Sequence, residues 1–311
     1  MFGNVAALAR LLKNRSLRWI PYYLRRRQAL RGIGQSKGSH EHLIFCVVDH
    51  FEPSRSRGEA GVQDVQEWCD SYRKVAQDFR DSDGQQPKHS WFYRYDYPNF
   101  RCINILSRAV FDGIGEIEFH LHHGNSTPET YEQQIKDGVR WFQSAGAMRS
   151  QGEAAQDRFG YIAGNWALDN GQGRPEFSGV DDEIGILSRN GCYGDFTFPA
   201  FGEASQPPIV NEIYSVQAAE TPRSYWTGTP LAVGSPIRGD LILFEGPLSV
   251  DFQTGYIEYG SLEEFTPYFS RRLGYWRAEN VHVRKRSEWT FIKLHTHGMQ
   301  SRKILFESTL P

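Results

Sequence analysis

Three times in succession an apolar run of strand length is followed by a stretch with helical periodicity, and this rhythm limits the 311-residue chain to few folds. Residues 43–49, 91–95 and 115–122 read as strands, and residues 62–79, 99–110 and 128–145 as the helices that follow them. In the first helix Val65, Trp68, Cys69, Tyr72, Val75 and Ala76 fall on one stripe, the spacing of a helix laid on a sheet. Thr127 supplies an N-cap and Pro128 a first helical residue for the third. Such alternation builds a parallel sheet, because parallel neighbours need a crossover between them. The rhythm continues with strands at 159–165 and 194–198 around a helix at 181–189. It dissolves into Gly, Pro, Ser and polar residues from 199 to 239, with an extended piece near Ile213. A strand at 241–244, a helix at 262–273 and a last strong strand at 290–295 follow. The expected fold class is α/β, a (β/α) barrel over residues 40–311, preceded by a basic arm and linker over residues 1–39.

Side chains alternate between the two faces of a strand, so parity shows what each strand offers to a barrel interior. Phe291, Lys293, His295 and His297 share one face of the last strand, against Ile292, Leu294 and Thr296. In the third, Glu116, Glu118, His120 and His122 share a face, against Ile117, Phe119 and Leu121. Two strands thereby aim ionisable groups into one interior, crowded toward the carboxyl ends where α/β barrels carry reaction centres. Polar groups there are costly to bury without partners, and clustered imidazoles find one in a metal ion. The segment EFHLHHGN places His120, His122 and His123 within four positions, from ten histidines in the chain. These donors suit a divalent ion, zinc first with cobalt or nickel as alternatives, better than magnesium. Asp49 closes the apolar run LIFCVV, with His50 and Glu52 behind it in VVDHFEP; facing a metal, it would ligate the ion or serve as a base. Asp195, in GCYGDFTFP, reads as a carboxylate that orients a histidine.

Composition excludes more than it selects. Thirty-five basic residues nearly balance 37 acidic ones, so no global charge points to nucleic acid. Cys46, Cys69, Cys102 and Cys192 are scattered without a C-x-x-C pair, as thiols in a reducing compartment are. The longest apolar run near the amino terminus, residues 5–8, is too short for a signal-peptide core, and no stretch approaches the ~20 apolar residues a bilayer requires. The expected location is the cytoplasm. Arg10, Lys13, Arg15, Arg18, Arg25, Arg26, Arg27 and Arg31 mixed with leucines suggest a basic amphipathic helix, interrupted at Pro21, that touches the inner membrane surface; the plainer reading packs it across the barrel floor.

At the residues just named the chain resembles the polysaccharide deacetylase family. Its T-F-D-D corresponds to V-V-D-H here, which implies Asp49 as base and His50 as ligand. Its H-[ST]-x-x-H falls on EIEFHLHHGN, where His120 matches the first histidine; the second position is Gly124, so His122 or His123 must substitute. The late L-x-H strand matches FIKLHTHG and implies His295 as general acid, charged by Asp195 in a D-F pair that resembles D-W. The R-x-P-x-G element is replaced by AGNWALD, leaving Asn165 and Asp169 to orient the base and Trp166 to contact substrate, with His297 beside them. The strings HLHHGN, GNWALDN, GCYGDFTFP and KLHTHG resemble a subgroup associated with bacterial surface-polysaccharide synthesis, and the likeness covers residues 40–300.

The resemblance implies a metal-dependent hydrolase that removes an acetyl group from an acetylated sugar, nucleotide sugar or polysaccharide intermediate. Two rivals stand beside it. One is a barrel that binds carbohydrate or nucleotide sugar without catalysis, since fold does not fix function. The other is a different metal-dependent amidohydrolase, whose H-x-H pair would end the first strand rather than the third.

Overall fold

A computed structural model describes residues 16–32, 41–54, 58–148, 158–263, 271–301 and 306. Its first half follows the periodicity: strand β1 (His42–Phe51), helix α2 (Gly58–Ala76), β2 (His89–Arg94), α3 (Phe100–Phe111), β3 (Gly115–Leu121), α4 (Pro128–Ser144) and β4 (Phe159–Ala163), all preceded by α1 (Ile20–Gly32). After β4 come α5 (Glu183–Arg189), β5 (Cys192–Asp195), β6 (Ile213–Val216), β7 (Thr229–Pro230), β8 (Leu241–Phe244), β9 (Ser249–Asp251), β10 (Tyr256–Glu258), α6 (Arg272–Glu279) and β11 (Trp289–Thr296). The helix expected over 262–273 falls largely on residues 264–270, outside the described residues.

Local chemistry explains the helix starts. Asn99 accepts from the amides of Arg101 and Cys102 at the head of α3, and Thr127 with Thr130 forms a capping box ahead of Pro128 in α4. Val62, Val65, Trp68, Cys69, Tyr72 and Ala76 of α2 are buried as one stripe against the sheet. Each large side chain removed from water there contributes about 1.5–3 kcal/mol.

Among the described residues nine strands form one sheet in the order β11-β1-β2-β3-β4-β5-β8-β6-β7. Pairing is parallel from β11 to β8, whereas β6 and β7 are antiparallel to their neighbours. The sheet curls. Lys293 of β11 donates to the carbonyls of Phe196 and Phe198, which leave the end of β5 on the far wall. The seam between the two sheet edges is spanned by residues 281–284: the Phe291 amide donates to the Val281 carbonyl, the Arg284 amide to Leu231, and the Val233 amide to Arg284. Gly260 and Leu262 pair with His295 on the same free edge of β11. Helices cover the outer face. Inside the curl, Val48, Phe92 and Ile162 pack together below the carboxyl ends of the strands.

Pro21 opens α1 as its second residue instead of interrupting it, a place where a missing N–H costs nothing. The described part of the arm docks on the barrel. Trp19 and Tyr23 are buried with Val210, Leu248, Val250 and Ile257, while Arg26 donates to the carbonyls of Glu279 and Asn280. Apolar and charged residues are not segregated around α1, which a helix lying in a membrane surface requires. Residues 1–15 and 33–40 of the arm and linker lie outside the described residues. Among those described, no helix is long and apolar enough to cross a membrane.

Candidate metal centre

The carboxyl ends of β1 and β3 bring Glu52, His120 and His122 together, with their ligand atoms all within 4.8 Å of one another; these three residues could hold a metal ion. Glu52 Oε1 lies 3.2 Å from His120 Nε2 and 3.0 Å from His122 Nε2, and the two nitrogens are 2.9 Å apart. His120 Nδ1 stands 2.9 Å from the carbonyl of Ile162 on β4. A carbonyl only accepts, so the ring proton sits on Nδ1 and Nε2 turns its lone pair toward the cluster. That lone pair faces a carboxylate oxygen, acceptor to acceptor. One cation, or one shared proton on His122 Nε2, reconciles them. The donors fit a metal: two imidazoles, one of them oriented by a backbone carbonyl, and one carboxylate, beside an open cavity.

Electrostatics agree with the geometry. Burial pushes the Glu52 carboxyl up, but the His120 and His122 imidazoles beside it outweigh that and hold Glu52 well below the usual range. Burial lowers His120 below the ordinary histidine value. Arg94 of β2 donates to Glu52 Oε2 at 3.1 Å and to both oxygens of Asp96, whose Oδ1 accepts the His122 amide at 3.2 Å. The carboxylate is thus held from behind.

Beside the cluster lies a cavity of about 270 Å³, walled by His50, His122, Asn165, Trp166, Phe177 and His297 among others. The His50 ring lies 4.6 Å from His297, 4.7 Å from Trp166 and 5.0 Å from His120 between ring centroids, tilted to each. Its Nε2 is buried without a partner, and burial, reinforced by His297, His120 and His295, pushes it well below the ordinary value. His297 differs. Burial alone would lower it, but Glu263, hydrogen-bonded to its Nδ1, raises it. The wall itself is strained: Asn165 and Trp166 adopt φ of 53° and 55°, as do Asp169 and Asn170 at 53° and 51°. A left-handed tryptophan is sterically costly and persists only where its surroundings demand it.

No family model and no curated protein matches this chain. The centre must therefore be read from its own geometry.

That geometry brings His50, His120, His122, Asn165, Trp166 and His297 together, with His295 behind Trp166 at 5.4 Å between ring centroids. Asp49, His123 and Asp195 it turns elsewhere, and each is a correction. Asp49 lies on the outer face of β1, where Oδ2 is 2.9 Å from His89 Nε2 and Oδ1 accepts the Gly298 amide at 2.6 Å. Parity decides this, since neighbours on a strand point to opposite sides and His50 points in. His123 likewise faces outward, stacked on Tyr131 at 4.4 Å with Nε2 3.3 Å from Glu183, so His122 is the second imidazole. Gly124 cannot carry one, because a Cβ there would lie 2.2 Å from the Glu176 carbonyl. Asp195 accepts from the amide and hydroxyl of Thr197 instead of orienting His295. Burial lowers His295 to about 3. Asp169 serves the loop, accepting from the amide and hydroxyl of Ser224.

Glu52 and Glu263 are the acidic groups that the sequence reading does not assign. Glu52 was within reach of the same parity rule, two residues beyond His50. Glu263 carried no such signal, because it belongs to an irregular stretch that meets β11 only in three dimensions.

Proposed function

We propose that this chain is a metal-dependent hydrolase that removes an acetyl group from a carbohydrate, with Glu52, His120 and His122 holding the metal ion. One observation carries the reading: a two-histidine, one-carboxylate set opens onto a cavity whose remaining walls supply a neutral imidazole, an imidazole with its own carboxylate, and a tryptophan. The nitrogen and oxygen donors suit zinc, with cobalt or nickel as substitutes. Bound there, such an ion supplies Lewis-acid polarisation and a lowered pKa for water. The chain's own groups do the rest. His50, unprotonated through the neutral range, accepts the proton of the attacking water at Nε2. His297, whose pKa the Glu263 carboxylate raises, donates to the departing amine or alcohol. Trp166 packs on an apolar sugar face while the Asn165 amide offers hydrogen bonds to hydroxyls. The resemblance to polysaccharide deacetylases supports the acetyl group and the sugar, and the curled, mostly parallel sheet is compatible with that family's distorted barrel. An acetylated nucleotide sugar or polysaccharide intermediate is the proposed substrate class.

Elemental analysis of the purified chain, followed by acetate release from a panel of acetylated sugars, tests this. Near-stoichiometric metal with acetate release is expected, and His297→Asn lowers release by about 10²–10⁴-fold, the usual range for a positioned acid, while the metal stays. Metal without acetate release from any substrate would refute the activity; no metal would refute the centre.

A further inference from the structure

The seam of the barrel carries a second cavity, of about 490 Å³, between α1 and the segment that bridges the sheet edges. Arg25 and Arg26 face it from the helix, and His282, Arg284 and Lys285 from the bridging segment. Glu212 is the acidic residue in its lining. Four guanidinium or ammonium groups against one carboxylate make this place strongly positive, on a chain whose net charge is -2. Charge here is therefore local.

The cations differ in how they are held. Arg26 is 7% exposed, fixed by the Glu279 and Asn280 carbonyls, with its Nε 3.4 Å from Glu212. Arg284 reaches the same carboxylate at 3.6 Å from the opposite side. Glu212 is thus a brace between two arginines on different elements. Arg25 and Lys285 stand exposed at the rim. A buried, fixed positive charge behind a concave opening, with exposed cations at its edge, focuses potential on an anion. Arginine forks match phosphate oxygens in particular, and an excess of three positive charges exceeds what one carboxylate neutralises.

We propose that this seam cavity binds a phosphate group, independently of the metal centre. The group can be carried by a soluble molecule or by a membrane lipid. Calorimetric titration of the full chain with inorganic pyrophosphate, and sedimentation with phosphatidylcholine vesicles containing or lacking phosphatidylglycerol, separate the two. Saturable one-to-one binding of pyrophosphate is expected, falling about tenfold or more in the Arg25→Gln/Lys285→Gln double variant, as the loss of charge-assisted bonds implies, and weakening with added salt. Melting temperature and metal content should not change, because both side chains are exposed. Binding to phosphatidylglycerol vesicles alone, lost in the same variant, would support the site and assign the phosphate to a lipid. Absence of both kinds of binding, or binding indifferent to the double substitution, would overturn the proposal.

Discussion

Replacing Asp49 with alanine should unfold the protein more readily without emptying its metal centre. The carboxylate joins β1 to the turn after β11, and its loss leaves His89 and the Gly298 amide buried without their acceptor. Breaking a buried pair of this kind costs on the order of 3 kcal/mol, whereas Asp49→Asn keeps an acceptor for Gly298 and costs less. Gly298 itself has no room for a side chain, since a Cβ would lie 2.1 Å from Asp49 Oδ2. Thermal melts with metal analysis of the folded fraction decide the matter; metal lost from well-folded Asp49→Ala would return Asp49 to the centre. The two adjacent histidines make the complementary comparison. His122→Ala should weaken metal binding by more than the roughly 10–100-fold typical of groups one bond removed from the ion, and His123→Ala should leave affinity intact while lowering stability. Equal losses would mean that the outward stacking of His123 on Tyr131 misassigns it. These residues also show what sequence can resolve. An H-x-H pair on a strand announces a shared face, and that much of the centre was legible. VVDHFE holds the same information, for Val48, His50 and Glu52 alternate inward while Asp49 does not, yet an aspartate ending an apolar strand attracts the catalytic role on chemistry alone.

At the scale of elements, GNWALDN holds four non-glycine residues at positive φ, and a buried acid anchors it. Asp169 is fully buried, receives Ser224, and is pushed up to about 8 chiefly by burial. Glu118, beneath the histidines, is likewise pushed up to about 8 by burial. A carboxyl raised in the folded state binds its proton more tightly there than in the unfolded chain, where its pKa is about 4. Its stabilising contribution is therefore complete below about pH 4 and is lost as pH rises through about 8. Stability should fall between about pH 4 and 8 with a slope of up to about 1.4 kcal/mol per pH unit for each such group, and Asp169→Asn should flatten it. Denaturant unfolding across that range measures the slope, and a slope unchanged in the variant would remove Asp169 as a contributor. Long elements were readable from periodicity: α2, α3, α4, β3 and β8 lie within a few residues of where the pattern puts them. Of the 199–239 stretch only the extended piece near Ile213 was, and it is β6. Its strands β6 and β7 are four and two residues long, too short for alternation to show, and its buried Tyr214 and Tyr225 look in sequence like any loop tyrosines.

For the whole molecule, the question is what holds the sheet curled, because the centre exists only while β1, β3 and β11 face one interior. Lys293 is the strongest candidate. It is buried on the inner face of β11 and reaches across to the Phe196 and Phe198 carbonyls, so it joins the first strand of the sheet order to the exit of β5. Burial lowers its pKa and raises that of Asp195, and each charge tempers the shift of the other. Parity predicted that Lys293 points inward, but nothing in the sequence names its partners, which are backbone carbonyls 97 and 95 residues away. Lys293→Met removes two donors and leaves Asp195 without its neighbouring cation, which should lower stability by on the order of 3 kcal/mol. The double variant with Asp195→Asn should be less destabilised than the sum of the two single changes, because neutralising the acid relieves the charge that the lysine loss strands. A double-mutant cycle in denaturant measures this coupling. Strict additivity would show that the two groups act separately, and that the curl rests on the backbone bridges at the seam rather than on a charge at the centre of the barrel.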